Sequence, residues 1–383
     1  MGVMSRITHR NDYQKLERQQ MQLKIDEFTL SFLHKQDKLD TQEHEERSEY
    51  FINYLYEELR LTELGLIQPY KSVNGYNVTY KIENTSKLTL GYHTEWPEMG
   101  LSVVFGAKDL SEYLEALSEL SGAYLDAIEL IKWLNVLADE NGFEIRLSRL
   151  DVAADFVDYG LSVDELYNEI KNEAYYVTDW KESRKKKLGQ FFGTEGNIES
   201  FYIGKYTTRT GFLRVYDKKV EQLKRKGYQL EIASKCSDWV RVEAVYRDNY
   251  AHEATKTLLE SEDNESTLAN FITSRYRFKN EKGYHLITQE LLEAKPSGAL
   301  AFSKNYRQYS FEKSKQALYS GQVQNTLYKI RKIEGKEAAK AYLETLLEYN
   351  LSCYEPSKEV KVFVNKFKKT DEKPNNDRKS AVS

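Results

Sequence analysis

The stretch FEIRLSRLDVAADFVD, residues 143–158, reads as one long β-strand. Side chains on a strand alternate between its two faces, so Arg149, Asp151, Ala153 and Asp155 share one face while Leu150, Val152 and Ala154 take the other. A face that carries two carboxylates across a small alanine is costly unless it is solvated, paired with cations or bound to a hard metal ion. The strand therefore needs a sheet with one apolar face against a core and one polar face that does something else.

The flanking sequence supplies that sheet. DEFTLSFL (26–33), GYNVTYKIE (75–83), KLTLGYH (87–93), GLSVVFG (100–106), ESFYIGK, GFLRVYD and DWVRVEAVYR show period-two alternation with β-branched and aromatic residues, and so read as strands. Residues 109–142 are helical, with a break near Gly122, and SVDELYNEIKN is a helix with Ser162 as N-cap and Glu165 closing a capping box. Turns such as Asn74-Gly75 favour antiparallel pairing. The expectation is an α+β fold: a twisted, mainly antiparallel sheet with helices on one side, over about residues 24–250. Beyond residue 250 no strand is expected. Amphipathic helices run through EATKTLLE, around 309–319 and through EGKEAAKAYLETLLEYN, and suggest a second, helical unit over 251–355. Residues 1–23 form an N-terminal extension, and the basic tail 356–383 is expected to be disordered.

Composition narrows the function. Cys236 and Cys353 are the two cysteines, too few for a disulfide framework or a thiolate metal cage, and no run approaches the roughly 18 apolar residues of a membrane span. The start carries no apolar signal segment, and a cytoplasmic location is expected. The net charge of −4 hides an uneven distribution, with basic clusters at KESRKKK (181–187), KKVEQLKRK (218–226) and SRYRFKNEK (274–282). There is no GxxxxGK[ST] loop, and the six histidines form neither HExxH nor a histidine-hydrophobe-histidine motif.

Three strands carry candidate chemistry. In WVRVEAVYR, Arg241, Glu243, Val245 and Arg247 share a face, again a carboxylate between arginines. Beside the Asp151 strand, its Glu243 would join Asp151 and Asp155 around one Mg²⁺ or Mn²⁺, and the arginines would hold phosphate oxygens bidentately; the competing reading is an Arg–carboxylate ladder. In GFLRVYDKK, Arg214 and Tyr216 project together near the strand end, with Lys218 just past it. A tyrosine hydroxyl has a pKa near about 10, so attack on phosphorus needs a nearby cation or base to favour phenolate.

The segments MGLSVVFGAKDLSEYLEAL, SRLDVAADF, SVDELYNEI, FYIGKYTTRTGFLRVYDKKVEQ, WVRVEAVYR and SGQVQNTLYKIRKIEGKEAAKAYLETL, in this order, resemble the Rep_trans group. This replication initiation factor family comprises Gram-positive rolling-circle plasmid initiators and related conjugative relaxases, and the resemblance spans about residues 24–350. It implies an endonuclease that nicks one origin strand by tyrosine attack, keeps a 5′-phosphotyrosyl link and leaves a 3′-hydroxyl. The family's tyrosine segment maps onto RVYDKKVE, with Tyr216 as nucleophile and Lys218 and Glu221 in support, and its acidic residues onto Asp151, Asp155 and Glu243. Arg149, Lys205, Arg214, Arg241 and Arg247 are the sheet's expected DNA contacts. In the helical unit, Lys304, Arg307, Lys313 and Lys315 lie near one candidate helix, and Lys329, Arg331 and Lys332 near another. Origin DNA, a second copy of the chain and a host helicase are the implied partners. The chain is longer than compact plasmid initiators, which leaves initiator or mobile-element relaxase open, and a non-catalytic DNA-binding protein of the same fold is the reading from another class.

Overall fold

Strand β6 (Phe143–Val157) is the axis of the fold, as its alternation requires. In the computed structural model, which describes residues 20–36, 39–122, 125–194, 196–207, 211–294 and 321–356, it lies inside a ten-stranded sheet. The elements before it are β1 (Gln20–His34), α1 (Thr41–Glu58), β2 (Ile67–Tyr70), β3 (Val78–Ile82), β4 (Thr89–Tyr92), β5 (Leu101–Phe105), α2 (Ala107–Ser121) and α3 (Ala127–Glu140). After it come α4 (Val163–Lys171), β7 (Tyr176–Thr178), β8 (Leu188–Thr194), β9 (Asn197–Ile203), β10 (Gly211–Asp217), α5 (Lys218–Arg225), α6 (Leu230–Lys235) and β11 (Trp239–Arg247). Then follow α7 (Asp248–Leu259), α8 (Asn264–Arg275), β12 (Arg277–Asn280), β13 (Gly283–Tyr284) and α9 (Leu286–Glu293).

The strand order is β2-β3-β4-β5-β1-β6-β11-β10-β9-β8, antiparallel throughout, so the fold is the expected α+β arrangement. One face of the sheet is apolar. Leu150, Val152 and Ala154 of β6 and Val242, Ala244 and Tyr246 of β11 are buried in the main core, where the Tyr246 ring packs on Phe271 of α8 with centroids 5.6 Å apart. The break near Gly122 is real: it ends α2 with φ +68°, a left-handed conformation that glycine adopts without strain. Ser162 caps α4 by accepting from Glu165 N at 3.3 Å.

Three features differ from the sequence reading. β1 begins at Gln20, so part of the expected N-terminal extension is sheet. Helices are not confined to one side: α6 sets Ala233 and Cys236 on Val157 and Trp239, which share the polar face with Asp155. Strands also continue past residue 250, since β12 and β13 join β7 in a second, three-stranded sheet. Both strands are short, and the alternation of β12 is hidden within a basic cluster.

The chain divides into two compact units, Met1–Ser303 and Lys304–Ser383. Helices α7 to α9 therefore belong with the sheet, although the sequence places a boundary near residue 250. In the second unit, α10 (Gly321–Ile333) and α11 (Lys336–Ser352) form a helical pair that carries Lys329 and Arg331. The helix expected around 309–319, with Lys304, Arg307, Lys313 and Lys315, and the tail beyond residue 356 lie outside the described residues.

Candidate functional site

The polar face is assembled by register. Arg241 of β11 pairs with Asp155 of β6 on one side and with Tyr216 of β10 on the other, and Glu243 pairs with Ala153 and Arg214 in the same way. The period-two alternation of three neighbouring strands thus places Asp151, Asp155, Arg241, Glu243, Arg214 and Tyr216 on one face. Each of these carboxylates bonds to an arginine: Asp155 to Arg241, Asp151 to Arg149 and Glu243 to Arg214.

Arg241 is the hub. Its side chain is 0% exposed. Nε and Nη2 donate to the two oxygens of Asp155 at 2.6 Å each, and Nη1 donates to Asp26 at 2.6 Å. Trp239 Nε1 also donates to Asp155, at 2.9 Å. Burial raises the Asp155 pKa, but the Arg241 charge and hydrogen bonds outweigh it and hold the carboxyl below its ordinary value. Asp26 behaves alike: burial opposes ionisation, and Arg241 followed by Lys24 overrides it to leave the group at about 2.

Asp26 and Glu27 reach this face through a β-bulge. β1 pairs Ile25 with Val152 but Glu27 with Asp151, so Asp26 is the extra residue of the bulge. Two successive acids then lie on the same side: Asp26 meets Arg241, and Glu27 meets Arg149 and Lys87. Lys24, Asp26 and Glu27 were missed by the sequence reading. The signal was the charged KIDE run inside an otherwise apolar strand.

Tyr216 lies at the end of β10 and is 7% exposed. Its hydroxyl accepts from Arg241 Nη1 at 3.4 Å and donates to Glu243 Oε2 at 3.5 Å. The Arg214 guanidinium stacks on its ring at 4.4 Å from the centroid, and Lys218 Nζ stands 5.7 Å from it. Arg214 also donates to Glu243 at 2.7 Å. Burial pushes the Tyr216 hydroxyl well above its ordinary pKa, with Arg241 pulling it down and Glu243 pushing it up. The strand stops here because Asp217 caps α5, accepting from Val220 N at 2.8 Å. The first turn of α5 then folds Lys218 under the sheet, buried and bonded to Glu221 at 2.5 Å.

The remaining expected residues are dispersed around this centre. Arg149 grips Asp151 with two bonds of 2.9 and 2.6 Å. Burial, and beyond it Glu243 and Glu27, leaves Asp151 at about 7 in spite of Arg149. Arg247 lies over the Phe212 ring at 5.2 Å, and Lys205 is exposed in the turn after β9. Lys329 and Arg331 belong to the separate helical pair, where Arg331 lies 5.5 Å from the Tyr328 ring centroid. Among the described residues no three His, Cys, Asp or Glu side chains are grouped so as to hold a metal ion, and no helix is long and apolar enough to cross a membrane.

A family model described as replication initiation factor matches residues 145–347, which takes in most of β6, all of β10, β11 and α10, and most of α11. The chain belongs to the replication initiation factor family. A solved structure of a rolling circle replication initiator protein from Geobacillus stearothermophilus shares the fold of this family member: TM-score 0.51 and 18% identity over 74% of this chain and 100% of that one. No curated protein matches it by sequence.

Proposed function

We propose that this member of the family initiates rolling-circle replication by nicking one DNA strand with Tyr216. The observation that carries the reading is the placing of the Tyr216 hydroxyl between a buried guanidinium and a carboxylate, 3.4 Å from Arg241 and 3.5 Å from Glu243. A tyrosine kept protonated by burial needs a proton acceptor and a cation at its oxygen before it can attack phosphorus, and Glu243 and Arg241 offer them.

In the proposed step the Tyr216 oxygen attacks the scissile phosphorus while its proton passes to Glu243. The bond from phosphorus to the 3′ oxygen breaks, and that oxygen takes up a proton from water while Glu243 returns its own to the hydroxide so formed, so the 3′ end leaves as a hydroxyl with no net gain or loss of protons. The products are a 5′-phosphotyrosyl link and a 3′-hydroxyl primer end. Arg241 steadies the developing phenolate, Arg214 presents positive charge to the ring and to the incoming phosphate, and Lys218, buried against Glu221, adds positive charge beside the ring.

The carboxylates expected to hold Mg²⁺ or Mn²⁺ divide by their partners. Asp155 is spent on Arg241 and Trp239. Asp151 is likewise held through both oxygens, by Arg149, but Glu243 and Glu27 lie beside it and add the negative charge that would favour a cation there. Because Mg²⁺ usually takes one or two carboxylates and completes its shell with substrate phosphate oxygens, a pre-formed three-carboxylate cage is not required. Bound there, the ion would neutralise charge gathering on the scissile phosphate.

Duplex origin recognition falls in this reading to α10 and α11 with Lys329 and Arg331, since base reading in duplex DNA usually uses a helix in the major groove. A second copy of the chain and a host helicase are the partners it calls for. The deciding experiment incubates the full chain with a labelled supercoiled plasmid carrying the candidate origin, then denatures it and looks for a covalent adduct. Tyr216→Phe should form none while binding the origin as tightly, and Glu243→Gln should slow adduct formation by roughly 100-fold. An adduct with the Phe variant would move the chemistry to another nucleophile.

A further inference from the structure

The polar face does not end at Tyr216. Tyr202 of β9 pairs with Arg214, Ser200 with Tyr216, and Phe192 of β8 with Ser200, so Phe192 and Tyr202 share the Tyr216 side of the sheet. Their rings form a chain: Phe192 lies 5.9 Å from Tyr202, and Tyr202 lies 5.8 Å from Tyr206 and 5.4 Å from Phe212. Phe192 is 54% exposed and Tyr206 45%. Large aromatic rings left in water on an edge strand are an aggregation liability unless they are used. Phe191 next to them, 47% exposed, points to the other face, where its ring packs on Tyr167 of α4 at 5.1 Å.

Cations accompany the strip. Arg247 lies 5.2 Å over the Phe212 ring and donates to Tyr206 O at 3.2 Å, Arg214 stands between Tyr202 and Tyr216, and Lys205 is exposed beside Tyr206. Exposed rings alternating with guanidinium and ammonium groups suit a ligand that has flat apolar faces and a phosphate at each step. Unpaired bases present such faces, whereas duplex DNA keeps them stacked inside the helix.

We propose that Phe192, Tyr202 and Tyr206 form a stacking platform for the single-stranded segment that flanks the scissile phosphate, with Arg247, Arg214 and Lys205 along its backbone. This deepens the nicking reading and rests on it for the position of the scissile phosphate. The platform holds the strand through ring stacking, which tolerates any base, so it grips without selecting sequence. It also delivers the phosphate to Tyr216 in a fixed direction, from the β8 edge across β9 and β10.

The test uses the full chain carrying Tyr216→Phe, so that cleavage does not interfere, and follows by fluorescence anisotropy a labelled oligothymidylate of about 16 nucleotides, a length within the reach of such platforms. A labelled duplex is measured in parallel. Adding Phe192→Ala should weaken binding of the single strand by about tenfold, the usual consequence of losing one stacking ring, and leave the duplex within about twofold. Phe192→Trp should restore single-strand binding, and Phe191→Ala, on the same strand but the opposite face, should change neither. Undiminished single-strand binding by Phe192→Ala, equal losses for both DNAs, or an equal loss with Phe191→Ala would overturn the platform. Because no strand is cut in this assay, its failure is separate from that of the nicking reading, which is decided by the covalent adduct.

Discussion

Nη1 of Arg241 lies 2.6 Å from Asp26 and 3.4 Å from the Tyr216 hydroxyl, with the whole side chain out of solvent. A single guanidinium therefore joins the bulge of β1, the central strand β6 and the end of β10. Its burial makes it a fixed internal charge, and in the proposed reaction it acts through Tyr216.

Removing that charge should be expensive. Arg241→Ala leaves Asp26 and Asp155 buried without their main cation, and breaking a buried pair in this way costs about 3–5 kcal/mol. Chemical denaturation should show a loss of that size. Arg241→Lys should recover part of it, because an ammonium supplies charge but cannot give Asp155 two parallel bonds and Asp26 a third. Wild-type stability in Arg241→Ala would mean that the cluster is solvated in solution.

Chelation should separate binding from chemistry. With EDTA the adduct should vanish while origin binding persists, and Mn²⁺ should restore it. In Asp151→Asn the Mn²⁺ needed for half-maximal adduct should rise by roughly tenfold, as metal sites respond when a carboxylate is neutralised. Adduct formation that ignores EDTA would leave Asp151 with Arg149 as its sole business.

Acid should weaken the fold from the other end of β1. His44 Nε2 donates to His93 O, so its Nδ1 is an acceptor and takes the proton of His34 Nε2 at 2.9 Å. His44 is thereby neutral, and it is burial that disfavours a second proton on His34. Burial, then the neighbouring His44 and Arg47, lower the His34 pKa from 6.5 to about 4. The folded chain refuses a proton that the unfolded chain accepts, so stability falls as pH drops below 6.5, and the loss levels off near 4. For a half-buried ring the whole effect is about 2 kcal/mol. Urea midpoints between about pH 7 and about pH 5 should fall less steeply in His34→Gln than in wild type. Equal slopes would show that His34 is protonated without penalty.

Much of this protein is written locally. The alternation of RLDVAADF and WVRVEAVYR fixed which residues share a face, because strand geometry has a period of two and one side must be apolar to meet a core. Tyr216, Lys218 and Glu221 stay together for an equally local reason, the strand-to-helix turn at Asp217. What sequence could not decide was which strand lies beside which, and hence that Asp155 is consumed by Arg241 while Glu243 is left facing Tyr216. Nor could it show that a bulge at Asp26 turns two successive acids to one side, since the alternation rule sends neighbours to opposite faces. Short strands such as β12 escaped for the same reason: their stability comes from the strands they pair with, and that pairing exists only once the chain has folded.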